Sequence, residues 1–229
     1  EKMIKRLTYT GLTAAALVTF ATSTLTAAPL KIRIQWSVTP AHMTPLIPLA
    51  PKGIYKHWGK SYVVEPTRMR GSGPALQAVA AGEIELGGMS AQALTLGVKR
   101  AKIDLRVIAQ VMSGGVKGWG SSEFMVRDDG AINSFKDVKG KIVAVNAFGG
   151  TIDAAIRAMA SRANLMPGRD FQVVEVRFPA MLPALQSKRI DLTVLVTPFN
   201  LIALRKGGFK KLFDMADALG ATETLSWIG

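Results

Sequence analysis

Short runs rich in β-branched residues alternate along the chain with longer segments whose apolar positions recur at helical spacing. The clearest instance is Lys141-Ile-Val-Ala-Val-Asn-Ala-Phe-Gly-Gly-Thr-Ile-Asp153. Residues 142–145, bounded by Gly140, read as a buried strand; Gly149 and Gly150 turn the chain, and Thr151 suits a helix N-cap. Ile152, Ala155, Ile156, Met159 and Ala160 then fall on one helical face. In the first half the same reading predicts strands over 32–36, 62–69 and 84–89 and helices over 46–58 and 75–81. The second of these helices is begun by Pro74 and stopped by Gly82.

The pattern is stated twice. Lys31-Ile-Arg-Ile-Gln-Trp36 is matched by Lys141-Ile-Val-Ala-Val-Asn146, and Val63-Val64-Glu65 by Val173-Val174-Glu175. Pro74-Ala-Leu-Gln77 recurs as Pro183-Ala-Leu-Gln186, and Ile84-Glu-Leu86 as Ile190-Asp-Leu192, so that the four offsets are 110, 110, 109 and 106 residues. Phrases in order at a nearly constant offset predict two similar α/β units rather than a short-period solenoid. The glycine-rich stretch from Ser113 to Ser122 joins them, a second crossing is expected near 198–201, and 203–218 is expected to return to the first unit. Two crossings make a hinge, with lobe 1 formed by 29–113 plus 202–229 and lobe 2 by 114–201.

Ahead of these units, residues 1–28 carry a secretory signal: Lys5 and Arg6, an apolar stretch over 12–20, then small residues over 23–28 with cleavage near Ala27 or Ala28. The apolar part is shorter than the ~20 residues of a spanning helix, which favours export to the periplasm over an uncleaved anchor. The 229-residue chain has no cysteine, which removes thiol chemistry and disulfides, and two histidines, His42 and His57, which disfavours a histidine-based metal site. Its formal charge is +13, from 29 Lys and Arg against 16 Asp and Glu. The basic residues are spread singly or in pairs with no nucleic-acid-binding signature, so the positive field points to small anions and not to nucleic acid.

Parallel strands with helical crossovers place ligands at strand carboxyl ends. The polar loops Ser37 to His42, Gly71-Ser-Gly-Pro74, Ser90, Gly149-Gly-Thr151, Phe178-Pro-Ala180 and Thr197-Pro-Phe199 all stand there. A strand, a glycine turn and a helix start leave backbone N–H groups aimed at one spot, which suits a carboxylate, sulfonate, phosphate or nitrate. The alternative is an ordinary βα turn. Arg68, Arg70 and Arg177 also lie near strand ends, where they read as a solvated edge.

The phrases Gly71-Ser-Gly-Pro-Ala-Leu-Gln77, Ala81-Gly-Glu-Ile-Glu-Leu-Gly87, Phe135-Lys-Asp-Val-Lys-Gly-Lys-Ile-Val-Ala-Val145, Ala184-Leu-Gln-Ser-Lys-Arg-Ile-Asp191 and Thr197-Pro-Phe199 resemble those of one family. They are similar to the substrate-binding proteins of nitrate/sulfonate/taurine-type ABC importers, a group that also contains thiamine-pyrimidine-precursor binders. The resemblance covers about 31–218, and Asp137-Val-Lys-Gly-Lys141 is its most characteristic part. It implies an α/β, two-lobed periplasmic-binding-protein type II fold, with mixed sheets, helices on both faces and a ligand cleft between the lobes. Family members run on well past Gly229, so the closing part of lobe 1 is expected to be missing here.

Carried over by position, the resemblance implies a ligand-facing set of Ser37, Thr39, His42, Ser72, Gly73 and Ser90 from the first lobe. Phe148, Gly149, Gly150, Thr151, Pro179 and Thr197 come from the second. Gly73, Gly150 and Thr151 would offer N–H groups, the serine and threonine hydroxyls would exchange hydrogen bonds, and Phe148 (with Trp119, if the hinge lies close) would cover an apolar body. His42 either bonds the ligand or caps its loop. Neither catalytic residues nor a cofactor are expected. The implied function is capture of a small organic anion, sulfonate or carboxylate, by a monomer that delivers it to an inner-membrane permease with its cytoplasmic ATPase. The alternatives are a ligand-sensing receptor on the same fold and a relative of the pyrimidine-precursor enzymes, whose thiol and histidine chemistry is short of residues here.

Overall fold

The computed structural model describes residues 27–37, 55–116 and 122–229. The expected signal, apart from its last two residues, lies outside them, as do Thr39, His42, Trp119 and most of the helix expected over 46–58. Residues 55–58, which that helix would include, form a turn in which Trp58 bridges to Tyr62.

In the first unit β1 (Leu30–Trp36) pairs in parallel with β2 (Tyr62–Arg68). Helix α1 (Ser72–Ala80) follows, with Pro74 in its first turn where a missing N–H is harmless, and Gly82 at φ 70° lets the chain turn away. The strand expected over 84–89 is shorter than predicted: Leu86 makes a single parallel bridge to Ile34, and β3 spans only Gly87–Met89. Ser90 caps α2 (Ala91–Leu96) by accepting from Ala93 N at 3.3 Å, and β4 (Val107–Gly114) follows a π turn.

The second unit begins with β5 (Ser122–Arg127), and then Ser134 and Asp137 form a capping box ahead of β6 (Ile142–Val145). The Asp137 carboxyl accepts from the N–H groups of Asn133 and Ser134, which holds it below the usual carboxylate range. Gly140, at φ 74°, completes that turn by donating to Asp170 O at 2.7 Å. The most characteristic phrase of the sequence is therefore a turn, remote from any cleft. Helix α3 (Thr151–Arg162), β7 (Gln172–Glu175), α4 (Phe178–Gln186) and β8 (Leu192–Val196) come next. The chain closes with α5 (Phe199–Lys206), β9 (Phe209–Asp214), α6 (Met215–Leu219) and β10 (Thr222–Ile228).

The two units share a strand order. β6 lies between β7 and β8, parallel to both, as β1 lies between β2 and the bridge at Leu86. The third matched phrase is out of step, since Pro74 sits in the first turn of α1 whereas Pro183 lies inside α4. In the second unit β5 extends the sheet antiparallel to β8, and β9 pairs with β5. The return expected from 202 is thus corrected by pairing: α5 and β9 stay with the second sheet because Phe213 stacks on Phe124 with centroids 4.2 Å apart and Phe135 packs edge-on to Phe213. The chain crosses back only at β10, which pairs antiparallel with β3 and β4 in the first unit. Among the described residues the second unit has a continuous core, including Phe124, Met125, Ile156, Met181, Leu185, Leu192 and Leu195, whereas the first gathers Ala75, Met89, Ala93, Leu105 and Ile228.

Candidate functional site

Three helix starts and the carboxyl ends of four strands converge between the units. They enclose a cavity of about 110 Å³ lined by Ser37 after β1, Gly71 and Ser72 at α1, Gly88 in β3 and Asn146 after β6. Gly150, Thr151 and Ile152 at α3, Phe178 at α4, Val196 at the end of β8 and Thr197 after it continue the wall. The crossing segments close it with Met112, Ser122, Met215, Thr224 and Leu225. Among the described residues the lining is hydroxyls, one amide and apolar side chains, without a Lys, Arg, His, Asp or Glu. These groups can solvate a polar group by hydrogen bonds and cover an apolar one.

Bonds across the cleft hold the units against each other. Asn146 Nδ2 donates to Arg70 O at 3.1 Å, and Thr151 Oγ1 lies 3.2 Å from Gln92 Oε1 and 3.3 Å from Thr224 O. Arg70 and Glu175 form an ion pair at 3.6 Å. Two glycines permit this approach: a Cβ on Gly71 would stand 2.6 Å from Asn146 Nδ2, and one on Gly73 would stand 2.7 Å from Phe148 O.

The expected residues divide. Ser37, Ser72, Gly150, Thr151 and Thr197 face the cavity. Ser90 is fully buried beside it, donating its N–H to Ser72 Oγ at 3.1 Å and capping α2, so its role is to position Ser72. Gly73 packs against Phe148 O and is not in the lining. Thr151 is the first helical residue and not the N-cap; that place is held by Gly150 in an extended conformation. Phe148 and Gly149 face away, into a separate cavity of about 620 Å³ with Gln92, Leu96, Arg100 and Asp153. Gly149, at φ 76°, turns the backbone there. The N–H of Gly149 is already spent on Asp153 Oδ2 at 3.0 Å, a carboxylate in the first turn of α3 that is only 4% exposed. Asn146 was within reach of sequence reasoning because it directly follows β6. Met112, Met215, Thr224 and Leu225 carried no such signal, since they stand on crossing segments.

Pro179 lines an outer chamber of about 600 Å³ that shares Ser37 and Phe178 with the inner cavity. Arg68, Arg70 and Arg177 line it too, so the edge arginines of the sequence come together at the mouth. Arg68 lies 5.3 Å over the Trp36 ring and directs Nε toward Ser37 O at 3.4 Å. Among the described residues no group of three His, Cys, Asp or Glu is arranged to hold a metal, and no helix is long and apolar enough to cross a membrane.

Solved structures with this fold include the alkanesulfonate-binding protein SsuA from Xanthomonas axonopodis pv. citri bound to MOPS, with TM-score 0.67, 18% identity and coverage of 89% of this chain and 66% of that one. The periplasmic aliphatic sulphonate binding protein SsuA from Escherichia coli gives TM-score 0.61, 17% identity and coverage of 88% and 65%. The periplasmic nitrate-binding protein NrtA from Synechocystis PCC 6803 gives 0.60, 16% identity and coverage of 87% and 55%. The chain thus spans at most about two thirds of the length of these structures. No curated protein sequence matches it. The model of the NMT1-like family matches residues 31–216, most of the chain, and the protein belongs to that family.

Proposed function

We propose that the protein is the extracytoplasmic solute-binding component of an ABC importer. It takes a small organic anion, a sulfonate or carboxylate, into the cavity between its two units and presents it to an inner-membrane permease served by a cytoplasmic ATPase. The observation that carries this reading is the cavity itself, walled from both units and from the segments that cross between them. A ligand touching both walls favours their closed arrangement, which is how a solute-binding protein couples capture to a change of shape. Ser37, Ser72, Gly150, Thr151, Asn146 and Thr197 are the polar contacts in this account, and Pro179 belongs to the entrance. Among the described residues the lining consists of hydroxyl, amide and apolar groups, which suits holding a ligand.

Thermal unfolding of the protein against alkyl and aryl sulfonates, carboxylates, nitrate and pyrimidines tests the proposal. A ligand at a thousand times its dissociation constant adds about 4 kcal/mol, which raises the midpoint visibly. Selective stabilisation by the organic anions is expected. A folded protein that responds to nothing in the panel would contradict a solute-binding role.

A further inference from the structure

Among the described residues, positive charge around the cleft lies at its mouth. Those that line the inner cavity include no cationic side chain, and six of them are apolar: Met112, Ile152, Phe178, Val196, Met215 and Leu225. The start of α3 already holds an anion of its own: Asp153, in the first turn, accepts from Gly149 N and pairs with Arg157 Nε, both at 3.0 Å. A ligand anion at that helix start would compete with this carboxylate for the same N–H groups and dipole. The outer chamber is the opposite environment. Arg68 and Arg177 have no carboxylate partner among the described residues, whereas Arg70 is shared with Glu175.

We infer that the ligand is an amphiphilic anion that binds head outward: its apolar body enters the inner cavity past Ser37 and Phe178, and its sulfonate or carboxylate rests between Arg68 and Arg177. This rests on the solute-binding reading and sharpens it, because an inorganic anion such as nitrate has nothing to place in the inner cavity. Guanidinium groups at a solvated mouth bind such heads through paired, charge-assisted hydrogen bonds without burying a bare charge.

The test is calorimetric titration with straight-chain alkanesulfonates from ethane- to hexanesulfonate, the matching 1-alkanols and sodium nitrate. The proteins are wild type, Arg68→Gln, Arg177→Gln and the double variant, each checked for an unchanged unfolding midpoint. Affinity for the sulfonates should rise roughly fourfold per methylene until the cavity is filled. Each arginine variant should weaken hexanesulfonate about tenfold, leave the alkanols unchanged and reduce the salt dependence of binding. Hexanesulfonate binding that is indifferent to both variants overturns the head-outward assignment while leaving solute binding intact. Nitrate binding more tightly than hexanesulfonate does the same. No binding of any sulfonate or alkanol overturns it as well, and the thermal panel with nitrate and pyrimidines then decides whether solute binding itself survives.

Discussion

Glu85 and Asp191 occupy matching places in the two units, one residue before the Leu86 bridge and one residue before β8. Each carboxylate accepts from a backbone N–H of the strand alongside, Glu85 from Arg33 of β1 at 2.6 Å and Asp191 from Ile142 of β6 at 3.0 Å. Each also pairs with an arginine that binds carbonyls near the end of the preceding helix. Arg33 donates to Gly82 O at 2.8 Å, and Arg127 donates to Leu185 O at 3.1 Å and to Ile190 O at 2.8 Å. The surroundings differ. The side chains of Arg127 and Asp191 are 14% and 18% exposed, those of Arg33 and Glu85 37% and 40%. The same clip therefore fastens a core in the second unit and decorates a surface in the first, and solvent decides what it contributes.

The most severe way to disturb this contrast is to open the second core. Phe124→Ala removes the ring stacked on Phe213 and should cost about 3–5 kcal/mol in urea unfolding. Next, Asp191→Ala strands the Ile142 N–H and takes one of two carboxylate partners from Arg127, which keeps Asp129, a loss of about 2 kcal/mol, while Glu85→Ala should cost about 0.5–1 kcal/mol. Equal costs for the two carboxylates, read from urea midpoints, would break the comparison.

Acid sharpens it. The hydrogen bonds from Arg33 lower the Glu85 pKa from 4.5 to about 2. A depressed folded pKa gives stability that is fully present above about 4.5 and is lost as pH falls through about 2. Glu85→Gln should therefore flatten part of the acid limb between those values, by a small amount because the pair is solvent-screened. A last effect, of similar size to that of Glu85→Ala, concerns the contact between the units. Thr151→Val keeps the shape but removes the hydroxyl shared by Gln92 and Thr224, and should cost about 0.5–1.5 kcal/mol while raising protease susceptibility at the crossings. An unchanged midpoint and cleavage rate would show that this hydroxyl does not clasp the units.

The doubled unit was legible because β-branched runs and turn glycines announce strands locally, and the carboxyl-end rule then located Ser37, Ser72, Gly150, Thr151 and Thr197. What escaped was non-local. The pairing of β4 with β10 joins residues more than a hundred positions apart, through a register interrupted by bulges, so nothing nearby marked Met112 or Thr224 as cavity walls. The fate of β9 depended on Phe213 finding Phe124, a contact without periodic signature. Phe148 lines the neighbouring cavity and not the inner one, beside a Gly149 whose positive φ turns the chain, and no periodic signal marks that turn's direction.

In the proposed function the ligand sits between the units, and Gly150 is where that position can be probed. Its backbone is extended, and an added Cβ would meet Ser72 Oγ at an ordinary 3.7 Å, so a side chain can start there beside a residue that lines the cavity. Calorimetric titration of hexanesulfonate into wild type and Gly150→Leu is the measurement. Loss of affinity by at least tenfold, in a variant whose unliganded midpoint moves by no more than about 1 kcal/mol in stability, is the predicted result. Unchanged affinity in the filled variant would contradict it and place the ligand elsewhere.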